Sequence, residues 1–164
     1  ETNPTKFQQY VEQIRQEGDS IGGIVECTIQ GLPIGVGEPI FDKLQSHLAF
    51  AMMSINACKG FEYGSGFEGV SKKGSEMYLS GDTRLISGGI AGGISDGTPI
   101  VFRCVFKPTA TNKKTLEAIR QEAKNEEAIR LGRHDACVAV RAVAVVEAMA
   151  ALVIADMLEE ATNL

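Results

Sequence analysis

The longest apolar stretch, Ala142–Met157, constrains the fold of this chain more than any other feature. Only Glu147 and Asp156 interrupt it, and it is rich in alanine, a strong helix former. It lacks the roughly 18 uninterrupted apolar residues that indicate a membrane-spanning helix. Because a helix that is apolar on most sides is normally buried, we expect Ala142–Met157 to be a largely buried helix in the core of a globular domain.

Length and charge narrow the class of protein. The chain has 164 residues, enough for one domain with a continuous core, and a formal net charge of -5. Lys and Arg form no basic cluster, and the densest charged stretch, Lys113–Arg130, mixes both signs as a solvated helix face does. With neither a basic patch nor a signal peptide, we expect a cytoplasmic protein with no nucleic-acid and no membrane partner.

Cysteine and histidine spacing argues against a metal site. The four cysteines are scattered among apolar neighbours, at Cys27, Cys58, Cys104 and Cys137. No C-x-x-C pair occurs, and His47 and His134 are far apart in the sequence. Because a structural zinc site needs clustered ligands, we expect four free, buried thiols in a reducing compartment and no metal.

The first half of the chain alternates helix and strand patterns. Apolar residues at helical spacing predict a helix over Thr5–Glu17, ended by Gly18. Period-two alternation predicts a strand over Ser20–Gln30. A second helix is expected from Pro39, and its apolar stripe comprises Phe41, Leu44, Leu48, Ala51 and Met52.

The second half adds strands, a loop and two helices. Phe61–Phe67 is a candidate strand, and the glycines of Gly64–Ala91 indicate a long functional loop. Thr98–Lys107 alternates cleanly and, after the turn signal at residues 95–97, resembles the second arm of a hairpin. A helix is expected over Thr111–Arg130. This order of elements favours a layered α+β domain over a doubly wound parallel sheet.

Two glycine-rich segments, Gly18–Gly23 and Ser87–Gly97, have backbone that a flat ligand or a phosphate can approach closely. Neither has the glycine order of a dinucleotide-binding turn or a P-loop. The alternative is structural, because glycines in strands also mark bulges and close backbone contacts.

Two further segments carry charged or hydroxyl side chains. Lys107–Thr111 places a cation and hydroxyls at a strand end, as a phosphate cradle would, although a solvated surface has the same composition. Gly132–Asp135 combines an anion-binding Arg133, a titratable His134 and the carboxylate of Asp135. The alternative for that cluster is a surface salt bridge.

These segments occur in a recognisable order. The run consists of Gly18–Gly23, Gly35–Leu44, Gly74–Glu76, Gly88–Ser95, Phe106–Thr109, Gly132–Asp135 and Glu147–Met149. Their order and spacing resemble chorismate synthase over nearly the whole chain, and the resemblance is to the C-terminal half of that family's chain. Residues 1–164 are therefore expected to form part of one chorismate synthase-like domain.

The resemblance implies a layered β-α-β sandwich of antiparallel sheets flanked by helices, here partial, and a homotetramer. It also implies reduced FMN as cofactor and 5-enolpyruvylshikimate 3-phosphate as substrate. The family eliminates phosphate from this substrate in an anti-1,4 reaction that yields chorismate for aromatic amino-acid biosynthesis. The motifs do not distinguish members that reduce their own flavin with NADP(H) from members that receive it reduced.

The resemblance also implies roles for individual residues. Lys107 and Thr111 match residues that hold the FMN phosphate, and Arg133 matches an arginine of the joint flavin and substrate site. Asp135 matches the carboxylate near flavin N5 and is the candidate catalytic residue. Gly88 and Gly89 match backbone that lines the flavin.

One departure keeps a second class of function open. The family usually has two asparagines where this chain has Leu85 and Ile86. In the family, the histidines that act in proton transfer belong to the N-terminal half, and no segment of this chain matches their motifs. We therefore expect this chain alone to be inactive. The alternatives are a non-catalytic scaffold module that kept the fold and an unrelated phosphate-ligand domain.

Overall fold

The computed structural model describes residues 4–79, 86–123 and 135–162. The helices are Pro4–Gln16 (α1), Leu44–Met53 (α2), Gly74–Leu79 (α3), Lys113–Ala123 (α4) and Ala139–Thr162 (α5), with a 3₁₀ helix over Gly66–Ser71. The strands are Gly23–Ile29 (β1), Cys58–Tyr63 (β2), Ile90–Ala91 (β3), Ile94–Ser95 (β4) and Ile100–Phe106 (β5). No helix in these ranges has the length and hydropathy needed to cross a bilayer.

Strand β5 is the centre of a three-stranded antiparallel sheet with the order β1-β5-β2. Its predicted alternation is confirmed, because Ile100, Phe102, Cys104 and Phe106 are all buried. Strands β3 and β4 form a separate two-stranded antiparallel sheet. Antiparallel sheets with flanking helices confirm the α+β class expected from the sequence.

The core lies between one face of the sheet and the helices α2 and α5. Phe102 and Phe106 from β5 pack there with Leu48 of α2 and Val146 of α5, each at most 1% exposed. Burying one such side chain contributes about 1.5–3 kcal/mol, so this layer holds β5 in place. Both ends of β5 are therefore anchored on a packed core.

The hairpin expected around β5 is wrong. The turn at residues 95–97 joins β4 to β5, but β5 pairs with β1 and β2 and not with β4. The start of α2 is also later than expected. Phe41 has φ of 64° and is 90% exposed, so it belongs to the turn before the helix and not to the apolar stripe.

The segment expected to be a long loop contains regular structure. Strand β2 ends at Tyr63, and Phe67 lies in the 3₁₀ helix, so the strand predicted over Phe61–Phe67 begins and ends earlier than expected. Helix α3 and strand β3 also fall within Gly64–Ala91. Residues 80–85 lie outside the described residues, and they include Leu85, one of the two positions where the family usually has asparagine.

Helix α5 extends beyond the predicted Ala142–Met157 at both ends, and only one of its faces is buried. Ala142, Val146, Ala150 and Met157 face the core, whereas Leu152 is 66% exposed. The prediction of a largely buried helix is therefore wrong for this chain by itself. Other exposed apolar residues on α5 are Val140, Val143 and Val145.

The remaining helices and the cysteines follow the sequence closely. Helix α1 ends at Gln16, two residues before Gly18, whose φ is 69°. Helix α4 begins at Lys113, two residues later than the helix predicted over Thr111–Arg130, and the part of that range after Ala123 lies outside the described residues. The cysteines are free, and three are buried, while Cys27 is half-buried. Burial raises the pKa of the Cys104 thiol to about 12, so this thiol stays protonated at neutral pH.

Candidate active site

The chain leaves β5 through the predicted phosphate cradle, Lys107–Thr111, and this segment is tied to two distant parts of the sequence. The Thr109 hydroxyl donates a hydrogen bond to the backbone carbonyl of Asp135 (2.8 Å). The Ser20 hydroxyl donates to the Thr109 carbonyl (2.7 Å), and the Asn112 amide donates to Ser20 Oγ (3.2 Å). The three segments therefore meet at the Phe106 end of β5.

Asp135 is held at both its backbone and its side chain. The next residue, Ala136, accepts a hydrogen bond from the Ile21 backbone N–H (2.8 Å), and Ile21 forms a parallel β-bridge with Cys137. The Asp135 side chain is 27% exposed, and its Oδ1 lies 3.0 Å from Nη2 of Arg141. The candidate catalytic carboxylate is thus partly buried and paired with an arginine.

Lys107 and Thr111 are exposed side chains beside this cluster. Within residues 4–79, 86–123 and 135–162, Lys107 forms no ion pair, which leaves its ammonium available to an anion. Lys114 differs, since its Nζ lies 3.0 Å from Asp19. The Ser20 backbone N–H and the Lys114 side chain hold the pKa of Asp19 below its ordinary value, and Asp19 raises the pKa of Lys114.

A groove of about 480 Å³ runs past Asp135 between α1 and the start of α5. Its lining combines apolar side chains with charged ones, namely Phe7, Val11, Glu12, Arg15, Asp135, Cys137, Val140 and Arg141. Glu12 and Arg15 neutralise each other at 2.9 Å. The groove therefore adjoins the candidate carboxylate without a large excess of either charge.

The predicted flavin-lining glycines lie at the opposite end of β5. Gly88 is hydrogen-bonded to Val101, which is roughly 20 Å from Lys107 at about 3.3 Å per strand residue. A Cβ at Gly88 would lie 2.7 Å from Cα of Gly64, and a Cβ at Gly89 would lie 2.7 Å from the Pro99 carbonyl. Packing inside this chain therefore already requires glycine at both positions.

The structure thus brings together part of the predicted site. The Lys107–Thr111 segment lies beside Asp135, as their convergence on one ligand requires, whereas Gly88 and Gly89 are remote from both within this chain. Arg133 and His134 lie outside the described residues. No group of three or more potential metal ligands occurs among the residues described.

Sequence reasoning did not identify Arg141 as part of the site. Arg141 is six residues after Asp135, in the first turn of α5, where a helical spacing argument assigns it only to a solvated face. Its contact with Asp135 depends on how the preceding turn enters the helix. The only signal in the sequence was that Asp135 and Arg141, of opposite charge, lie six residues apart, and such pairs are common on protein surfaces.

Comparison with known proteins shows which family the chain resembles. The family model described as chorismate synthase matches residues 1–158. Two relatives named chorismate synthase, from Christiangramia forsetii and Flavobacterium psychrophilum, are each 51% identical to this chain over 156 residues. Each match covers 92% of this chain and 44% of the relative, so the chain spans less than half the length of these proteins.

A solved structure has the same fold. The crystal structure of a chorismate synthase superposes with a TM-score of 0.73 at 30% sequence identity, covering 95% of this chain and 42% of that one. The matching antiparallel sheet and helices agree with the resemblance seen in the motifs. The chain belongs to the chorismate synthase family.

Proposed function

We propose that this chain forms part of a chorismate synthase that eliminates phosphate from 5-enolpyruvylshikimate 3-phosphate in an FMN-dependent anti-1,4 reaction. The observation that supports this most directly is the hydrogen bond joining the Lys107–Thr111 segment to Asp135. It brings a cation, a hydroxyl and a carboxylate to one end of β5, in a chain of the chorismate synthase family. The product, chorismate, supplies aromatic amino-acid biosynthesis.

The residues at the Phe106 end of β5 fit a flavin phosphate. Lys107 provides a cation with no ion pair among the described residues, and Thr111 provides an exposed hydroxyl donor. Charge-assisted hydrogen bonds to a phosphate contribute about 1.5–3 kcal/mol each, so the two side chains supply useful affinity. Reduced FMN, when bound, lends electron density to the substrate transiently with no net redox change.

Asp135 acts in this proposal as the carboxylate beside the reacting groups. Its backbone is held by Thr109 and its Oδ1 by Arg141, while no hydrogen bond to its Oδ2 is found in the part of the chain that the structure describes. That second oxygen can accept a hydrogen bond or a proton from a bound group. Arg133, two residues earlier, is proposed to bind the anionic cofactor and substrate, although its position is outside the described residues.

Gly88 and Gly89 fit the flavin less well. The space above each glycine is filled by backbone of this chain, at Gly64 and Pro99 respectively. A flavin contact there requires the outer surface of the turn, in a site completed by another part of the protein. The proposed homotetramer would provide such neighbouring chains.

We propose that the chain corresponds to the C-terminal half of the family's chain and needs the remainder for activity. The exposed apolar side chains of α5, such as Val143 and Leu152, support this, because a helix that is apolar all round normally packs on more than one side. General acid and base groups commonly contribute about 10²- to 10⁴-fold. The family's histidines for that work have no counterpart here, so we expect no turnover by this chain alone.

The test is a chimera in which this chain replaces the matching part of Christiangramia forsetii chorismate synthase. We expect the chimera to form chorismate anaerobically with 5-enolpyruvylshikimate 3-phosphate and reduced FMN, and the 164-residue chain to form none. A matched chimera carrying Asp135→Asn should fold equally well by circular dichroism and lose most of the activity. Turnover by the isolated chain would contradict the proposed division between the halves.

A non-catalytic scaffold module is the second candidate. Ile86 stands where the family usually has asparagine, and Gly88 and Gly89 are already occupied by internal packing. The first observation removes a polar side chain that could contact flavin, and the second leaves no space above the two glycines for a flavin ring. A chimera that folds and assembles but neither binds FMN nor forms chorismate would support this second function.

A further inference from the structure

We infer that Arg141 is a positioning residue that orients the carboxylate of Asp135. The inference rests on the proposed function, because it concerns the group that acts at that site. Arg141 Nη2 lies 3.0 Å from Asp135 Oδ1, within hydrogen-bond distance. Arg141 lines the same groove as Asp135, and in this inference it acts on the reacting groups through that carboxylate.

Hydrogen bonds hold the backbone carbonyls of Asp135 and Ala136, so rotation of the Asp135 side chain decides where its carboxylate points. The Thr109 hydroxyl holds the carbonyl of Asp135 at 2.8 Å, and the Ile21 N–H holds the carbonyl of Ala136 at 2.8 Å. An aspartate on a rigid backbone still has several staggered rotamers. The Arg141 contact selects one of them and leaves Oδ2 for a ligand.

Arg141 is itself held by the fold. It lies in the first turn of α5, between the buried Ala139 and Ala142, and its side chain is 55% exposed. Exposed ion pairs contribute little to stability. Loss of Arg141 should therefore change the orientation of Asp135 with little effect on folding, which separates a positioning role from a structural one.

Arg15 provides a matched control on the same groove. It pairs with Glu12 at 2.9 Å, is 65% exposed and forms no ion pair or hydrogen bond with Asp135 among the residues that the structure describes. Arg141→Gln and Arg15→Gln remove the same charge from the same groove. Only Arg141→Gln should affect the carboxylate.

The first experiment measures the side-chain rotamers of Asp135 in the 164-residue chain without ligand, by NMR three-bond couplings. We expect one dominant rotamer in the parent and in Arg15→Gln, and averaged couplings in Arg141→Gln. Arg141→Lys should restore part of the preference, because lysine keeps the charge but not the planar donor geometry. Averaged couplings in the parent would overturn the inference.

The second experiment is a double-mutant cycle on kcat in the active chimera. Arg141→Gln should lower kcat by about tenfold or more, the size often seen when a group that orients a functional ligand is removed. In an Asp135→Asn background the same change should have no further effect. Equal losses in both backgrounds, or full activity of Arg141→Gln, would overturn the inference, and full activity of Asp135→Asn would contradict the proposed role of Asp135 as well.

Discussion

The two ends of β5 have similar small and hydroxyl-bearing residues but differ in whether the chain uses them internally. At the Ile100 end, Gly88 and Gly89 contact backbone, and Asp96 accepts hydrogen bonds from Thr98 and Ser87. At the Phe106 end, Lys107 and Thr111 remain exposed beside the partly buried Asp135. The small and polar groups at the Ile100 end are used in contacts within the chain, whereas those at the Phe106 end remain available to a ligand.

This difference shows that a glycine-rich segment is weak evidence for a ligand site until its surroundings are known. Glycine allows backbone to approach a phosphate, but it equally allows backbone to approach another strand. At Gly88 and Gly89 the approaching group is the protein itself. Stability should therefore depend on the Ile100 end, and ligand affinity on the Phe106 end.

The largest expected effect is on stability at the Ile100 end. Gly89→Val places a β-branched side chain at φ of 81°, with its Cβ 2.7 Å from the Pro99 carbonyl and 2.9 Å from Ile100 Cα. Backbone strain and overpacking each cost about 1–3 kcal/mol, so we expect the free energy of unfolding in urea to fall by roughly 2–6 kcal/mol.

The matched control for this change is Gly92→Val. Gly92 has φ of 63°, but a Cβ at this position would have no neighbouring atom within 4 Å. Gly92→Val therefore introduces the backbone strain without the close contacts. It should be clearly less destabilised than Gly89→Val. Equal losses of unfolding free energy in the two variants would show that the close backbone contacts at Gly89 do not contribute to stability.

An intermediate effect is expected for Asp96→Asn. The Asp96 carboxylate accepts hydrogen bonds from the Thr98 hydroxyl (2.6 Å), the Thr98 N–H (2.9 Å) and the Ser87 hydroxyl (3.2 Å). We expect a loss of about 1–2 kcal/mol at pH 7 in urea unfolding, because asparagine keeps one acceptor oxygen but loses the charge that strengthens these hydrogen bonds. Asp42→Asn, at an exposed carboxylate paired with His47, should cost less.

The effect of Asp96 should depend on pH in a defined direction. The hydrogen bond from the Thr98 hydroxyl, above all, holds the pKa of Asp96 below its ordinary value. A lowered pKa in the folded state stabilises the protein above the unfolded-state pKa of about 3.9, and this stabilisation is lost as pH falls through the folded-state pKa. The difference between parent and Asp96→Asn should therefore shrink below about pH 4, and a constant difference would contradict the proposed cause.

The smallest effect on stability is expected at the Phe106 end. Lys107→Ala removes an exposed side chain, so the free energy of unfolding should change by no more than about 0.5 kcal/mol. In the active chimera the same change should weaken FMN binding by about tenfold, the equivalent of one charge-assisted contact. Lys59→Ala, at an exposed lysine of β2, is the control and should leave affinity unchanged. Unaltered affinity in Lys107→Ala would remove Lys107 from the proposed site.

Local pattern alone predicted much of the secondary structure. The alternation in β5 and the helical spacing in α1 are properties of a few consecutive turns or residues, and both predictions are confirmed. The start of α2 was missed because Phe41 matches the helical spacing although its backbone is left-handed. Apolar spacing does not report backbone conformation in the turn before a helix.

Pairing between distant segments could not be predicted in the same way. The turn at residues 95–97 suggested a local hairpin, yet β5 pairs with β1 and β2, which are both separated from it by helices. Part of the candidate site depends on the same long-range pairing. Asp135 is held beside Thr109 by contacts between distant segments, which include the β-bridge between Ile21 and Cys137.

The amino-acid sequence by itself determined the α+β class, the alternation of β5, the helical nature of α5 and the family resemblance, because each is carried by neighbouring residues or by the order of motifs. Only the tertiary structure decided that one face of α5 is buried, that Gly88 and Gly89 meet backbone, and that Arg141 contacts Asp135. These three facts depend on which distant surfaces come together. Burial and ion pairing are properties of such contacts, and residue spacing along the chain does not specify them.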